Sequence, residues 1–126
     1  MKTSLNAIAA FVLVLAAATP ALAHANLDHA APAVGATVET SPDQVKIWFS
    51  SEVDPAGTSV QVLDAADKQV DKKDFKIDDK DKKIVTISLN PNLPDGTYKV
   101  VWKARGASDG HNTSGDFTFT IKLKKP

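Results

Sequence analysis

The chain has 126 residues, with 15 basic and 15 acidic side chains, three histidines, one methionine and no cysteine. The even charge excludes a phosphate-backbone binder, which needs a clear basic excess. The lack of cysteine excludes disulfides, thiolate metal sites and cysteine nucleophiles.

The first 23 residues read as a secretory signal peptide. Lys2 supplies the positive end, Ala7 to Ala18 an apolar stretch, and Ala21-Leu22-Ala23 a small-residue cleavage site. Cleavage after Ala23 leaves residues 24–126 as one domain of 103 residues, with 14 basic and 15 acidic side chains. A domain of this size can bury one core without metal or disulfide support. Ala23-x-Ala25 is a second small-x-small pattern, and cleavage there would discard His24. No later apolar run approaches the ~20 residues of a membrane span, so the mature chain is expected to be soluble.

A short first strand is expected around Ala25 to Ala30, broken by Pro32 and Gly35. His29 lies in it, either as a surface histidine or as an auxiliary metal ligand. Thr40-Ser41-Pro42-Asp43 is turn chemistry. Val45, Ile47 and Phe49 then alternate with Lys46 and Trp48, which predicts a strand with one apolar face. Asp54 to Gly57 is another turn, and Val60 and Val62 mark a further strand.

From Asp67 to Lys83, 13 of 17 residues are charged, with Val70, Phe75 and Ile77 interspersed. Asp78-Asp79-Lys80-Asp81 lacks the glycine and terminal glutamate of a calcium loop, so a solvated edge strand and hairpin is predicted. Val85, Ile87 and Leu89 share one face of the next strand, and a loop rich in proline and asparagine follows. Tyr98, Val100 and Trp102 share the face of another strand. A tyrosine just after such a loop predicts a tyrosine corner, its hydroxyl tied to upstream backbone. Trp102 is assigned to the core. Arg105 to Gly115 reads as a loop, and Phe117, Phe119, Ile121 and Leu123 define the last strand. There is no sustained helical period after residue 23 and no internal repeat. About seven short strands predict an all-β, immunoglobulin-like or cupredoxin-like Greek-key sandwich.

Two stretches carry chemistry. If His24 becomes the N-terminus, its free α-amine lies beside its own imidazole and the two form a bidentate nitrogen chelate. Asp109-Gly110-His111 is the second stretch. In extended backbone, residues two apart point to the same side, and Gly110 allows a tight turn. Alone, Asp-Gly is an ordinary turn dipeptide. Paired with His24 it completes a set of amine, two imidazoles and a carboxylate. Such an N3O set suits tetragonal Cu(II), which also heads the divalent affinity series. The mature chain has no methionine and no cysteine to favour Cu(I). Because the amine must lose a proton to bind, affinity is expected to fall with pH.

His24-Ala25-x-Leu27, Val45 to Ser50, Leu93 to Tyr98, Trp102, Ser108 to His111 and Ser114-Gly115 together resemble the CopC copper-resistance family, in the same order and across essentially the whole mature chain. The resemblance implies a periplasmic β-sandwich binding one Cu(II) ion through His24, Asp109 and His111. It also implies partnership with an inner-membrane copper transport protein. Two departures stand out. The methionine-rich Cu(I) site of some members is absent. The segment between Trp102 and Asp109 is one residue longer than the family pattern, which a β-bulge can absorb.

The function expected on these grounds is a copper carrier or buffer rather than an enzyme. Two alternatives stay open: a copper-brace oxidative enzyme, which needs more surface than 103 residues offer and an open position for oxygen, and a metal-free immunoglobulin-like interaction module.

Overall fold

The computed structural model describes residues 24–125. The expected signal peptide and cleavage point after Ala23 lie outside the described residues. Among those described, eight strands and no helix form: β1 (Leu27–Ala31), β2 (Thr37–Val38), β3 (Gln44–Phe49), β4 (Ser59–Leu63), β5 (Lys76–Ile77), β6 (Ile84–Ser88), β7 (Gly96–Arg105) and β8 (Asn112–Ile121). No described helix is long and apolar enough to cross a membrane.

The strands form two four-stranded sheets, ordered β1-β3-β6-β5 and β2-β8-β7-β4. Pairing is antiparallel except between β2 and β8, which run parallel. This is the immunoglobulin-like Greek-key arrangement, with β1 and β2 dividing the first edge between the sheets. The expected sandwich is therefore observed, with eight strands where about seven were predicted.

The core follows from period-2 alternation. Val45, Ile47 and Phe49 of β3 and Val85 and Ile87 of β6 point inward. They meet Val60 and Val62 of β4, Val100, Trp102 and Ala104 of β7, and Phe117, Phe119 and Ile121 of β8. Phe49 sets its ring edge-on to Trp102, with centroids 5.4 Å apart. The tyrosine corner is present: buried Tyr98, near the start of β7, donates its hydroxyl proton to the Pro94 carbonyl at 2.6 Å.

The charged segment behaves as an edge hairpin, with β5 paired to β6. Asp78 and Asp81 accept amides of the residues just after them. Asp78 Oδ2 accepts the amides of Lys80 and Asp81 at 3.0 and 2.8 Å, which makes a turn rather than a cation loop. Asp71 departs from the solvated picture. It is buried, and its carboxylate accepts the Val62 and Lys73 amides, each at 2.8 Å, together with the Gln69 side chain.

The segment predicted as a loop from Arg105 to Gly115 is strand at both ends, with a shorter loop between them. β7 and β8 pair in unbroken register from Gly96↔Ile121 to Arg105↔Asn112, leaving a connection of Gly106 to His111. No bulge interrupts the β7–β8 pairing up to Arg105. The β8 half of the pairing is hidden in the sequence because its inward positions are Thr113 and Gly115, not apolar residues. Gly115 lies under the Trp102 indole, where a Cβ would stand 2.8 Å from Cζ2.

Candidate metal centre

The short connection between β7 and β8 is a folded turn. Gly106 donates its amide to the His111 carbonyl at 3.0 Å, and Gly110 donates its amide back to the Gly106 carbonyl at 3.0 Å. Ala107 is tied to the Glu52 carbonyl at 2.9 Å. Gly110 has φ +66, the left-handed region that favours glycine. A Cβ there would also come within 3.3 Å of the Arg105 guanidinium. Asp109 closes the turn with one oxygen, Oδ1, which accepts the His111 amide at 3.0 Å. Its other oxygen, Oδ2, is buried and has no hydrogen-bond partner.

His24 approaches this oxygen from the other end of the chain. The segment leading from it into β1 lies against Ser50, just past β3, and Thr113 of β8. His24 Nδ1 and His111 Nδ1 each lie 3.4 Å from Asp109 Oδ2, and 3.4 Å from one another. The two imidazoles are stacked with centroids 4.9 Å apart. The three sequence-predicted site residues thus converge, and they form the metal-capable group of the described residues.

The fit to a metal ion is a matter of elementary geometry. Three atoms mutually 3.4 Å apart share a central point about 2.0 Å from each, the usual bond length from imidazole nitrogen or carboxylate oxygen to a small divalent ion. A buried carboxylate oxygen without a donor is costly, and one cation there satisfies it and both ring nitrogens together. The donor set is nitrogen and oxygen, suited to borderline divalent ions rather than soft monovalent copper. The Asp109 side chain is 16 % exposed while the rings of His24 and His111 are 45 % and 64 % exposed, so an ion would sit on an anchored anion with its imidazole side open to solvent.

His29 is not part of this group. Its imidazole stacks on Trp48 at 4.3 Å between centroids, and its Nδ1 lies 2.6 Å from Asp28 Oδ2. Lys46 covers the same indole, with Nζ 4.8 Å from the ring centroid. His29 is exposed at the surface, against Trp48. Ser50 and Thr113 were not singled out from sequence. Their roles run through backbone groups of a distant segment, which no local spacing reveals.

Comparison with known proteins agrees with this architecture. The CopC domain family model matches residues 27–122. Protein YobA of Escherichia coli is 30 % identical over 112 residues, covering 88 % of this chain and 90 % of that protein. The crystal structure of CopC from Methylosinus trichosporium superposes with a TM-score of 0.73 at 31 % identity, covering 82 % of this chain and 98 % of that one. PcoC, a methionine-rich copper resistance protein from Escherichia coli, superposes with a TM-score of 0.68 at 27 % identity, covering 79 % of this chain and all of that one.

Proposed function

The chain belongs to the CopC family, and from that premise we propose that it is a periplasmic carrier or buffer of Cu(II), not an enzyme. Residues 1–23 serve as a cleaved export signal, and residues 24–126 are the working protein. One copper ion is held by His24, Asp109 and His111, with the α-amine released at His24 as the fourth donor.

The single observation that carries this reading is the convergence of His24 Nδ1, His111 Nδ1 and the partnerless Asp109 Oδ2 at equal spacings of 3.4 Å. Each residue has a distinct task. Asp109 supplies the negative charge, fixed because its other oxygen is spent on the His111 amide. His111 supplies a nitrogen from the turn that joins β7 and β8. His24 supplies the chelate, which only a processed N-terminus can complete. The exposed imidazoles leave room for an incoming ligand to displace them one at a time, as transfer to an inner-membrane copper protein requires. Donors this complete leave little room for bound oxygen, which favours holding over oxidation.

The test is native mass spectrometry of the exported, mature protein with one equivalent of Cu(II). The expected result is a mass starting at His24 with one copper retained, and loss of that copper in Asp109→Ala and His111→Ala. A mass starting at Asn26, or a His24 start that keeps no copper, would overturn the proposal. So would copper- and ascorbate-dependent cleavage of polysaccharide, which would make the protein an oxidative enzyme.

A further inference from the structure

His24 belongs to no strand, since β1 begins only at Leu27. A ligand on a chain end of this kind would normally fray and would have to be ordered at every binding event. Here the three residues 24–26 are held group by group. The Ser50 hydroxyl donates to the His24 carbonyl at 3.1 Å and accepts the Asn26 amide at 3.0 Å. The Ser50 amide donates to the Asn26 carbonyl at 2.8 Å. Between them, Ala25 is fully buried, and its carbonyl accepts the Thr113 hydroxyl at 2.6 Å. That hydroxyl has one proton to give. Its other neighbouring acceptor, the Ala104 carbonyl, is at 3.4 Å, so Ala25 receives it.

Thr113 stands two residues beyond His111 in β8, and the residue it bonds directly follows His24. One side chain therefore joins both halves of the donor set across 88 positions of sequence. Thr113 also occupies an inward position in β8, in line with Phe117 and Phe119. Valine would fill the same volume and suit the strand. What threonine adds is the proton for Ala25.

We propose that Thr113 and Ser50 are positioning residues of the metal centre, fixing His24 over the Asp109–His111 turn without contributing a donor themselves. This inference rests on the metal-binding reading above. Removing the Thr113 hydroxyl leaves the Ala25 carbonyl buried without a donor. The relief available is for residues 24–26 to lift into water, which carries His24 Nδ1 away from Asp109 Oδ2. Asp109 and His111 stay in place, because their own turn holds them. The signature is therefore loss of the His24 contribution alone.

The experiment measures Cu(II) affinity by competition, and the copper electron paramagnetic resonance spectrum, on the mature protein. Thr113→Val, Thr113→Ser and Ser50→Ala are compared with wild type, Asp109→Ala and His111→Ala, and copper-free stability is followed by urea. Thr113→Val is expected to weaken binding by about 10- to 100-fold and to remove nitrogen couplings from the spectrum, as loss of an orienting partner does. Thr113→Ser restores both, and Ser50→Ala shifts both in the direction of Thr113→Val. Should Thr113→Val fail to fold, Ser50→Ala and Thr113→Ser decide the matter. Wild-type affinity and spectrum in Thr113→Val or Ser50→Ala, with binding lost in Asp109→Ala and His111→Ala, overturn this inference and leave the metal site standing. A Thr113→Ser protein that behaves like Thr113→Val also overturns it. A wild-type protein that keeps no copper overturns the metal reading itself.

Discussion

Gly115→Ala tests the packing beneath the β7–β8 hairpin. Gly115 pairs with Trp102 across β7 and β8, and its φ lies outside the left-handed region, so alanine suits the backbone. The space does not suit it. A Cβ would stand 2.8 Å from Trp102 Cζ2, 3.1 Å from Cε2 and 3.3 Å from Nε1. Ordinary carbon–carbon contact is about 3.5–4.0 Å, so the closest pair is short by at least ~0.7 Å. Trp102 has little freedom to retreat, being 6 % exposed with Phe49 edge-on against it. Overpacking of this kind costs about 1–3 kcal/mol. The lower chain entropy of unfolded alanine returns about 0.4–1 kcal/mol. The net loss is about 1–2 kcal/mol, a fall in Tm of about 5–15 °C for a domain near 100 residues. Urea denaturation followed by circular dichroism measures it. A cycle with Trp102→Phe isolates the cause: with the smaller ring, the added methyl should cost at least about 0.5 kcal/mol less. A Gly115→Ala protein as stable as wild type would refute the reasoning, as would an equal penalty with phenylalanine at 102.

Two further outcomes follow from hydrogen bonds in the fold. Tyr98→Phe removes the donor to the Pro94 carbonyl and should cost about 0.5–1.5 kcal/mol in urea denaturation; an unmoved midpoint would show that the corner contributes nothing. Asp74 governs part of the acid limb. Hydrogen bonds from Ser88, its hydroxyl foremost and its amide next, hold the Asp74 carboxyl below the usual 3.8. The folded value being lower than the unfolded one, the contribution is present above about pH 4 and is lost as pH falls through the folded value. Asp74→Asn should therefore show a shallower fall of Tm below pH 4 than wild type, and parallel curves would contradict this.

How much of this was visible in the sequence depended on how locally each feature is encoded. β3, β6 and the second half of β8 were legible because one face of each is buried, which imprints alternation at Val45, Ile47 and Phe49 or Phe117, Phe119 and Ile121. The first half of β8 was not, because Thr113 and Gly115 face inward for reasons held elsewhere: the Ala25 carbonyl and the Trp102 indole. β5 spans two residues and leaves no period to read. The convergence of His24 with Asp109 and His111 was legible because a cleavage motif and an Asp-x-His turn each mark themselves locally. The surroundings that hold His24 were not, since they rest on backbone groups met only after folding. The surroundings of His29 are not legible in the sequence, because only the pairing of β1 with β3 brings Trp48 across from it.

The distance between the two halves of the donor set has a thermodynamic consequence. Asp109 and His111 sit two positions apart in one turn, whereas His24 and His111 lie 87 positions apart and meet only when the sandwich is closed. A cation gripped by all three donors is therefore bound by the folded ensemble and released by the unfolded one. By mass action such a ligand, free at 100 times its Kd, adds about 2.7 kcal/mol to the unfolding free energy. If the site takes a cation, that ion ties His24 to the β7–β8 turn in addition to the Ser50 and Thr113 contacts, so resistance to digestion around residue 24 should rise with loading.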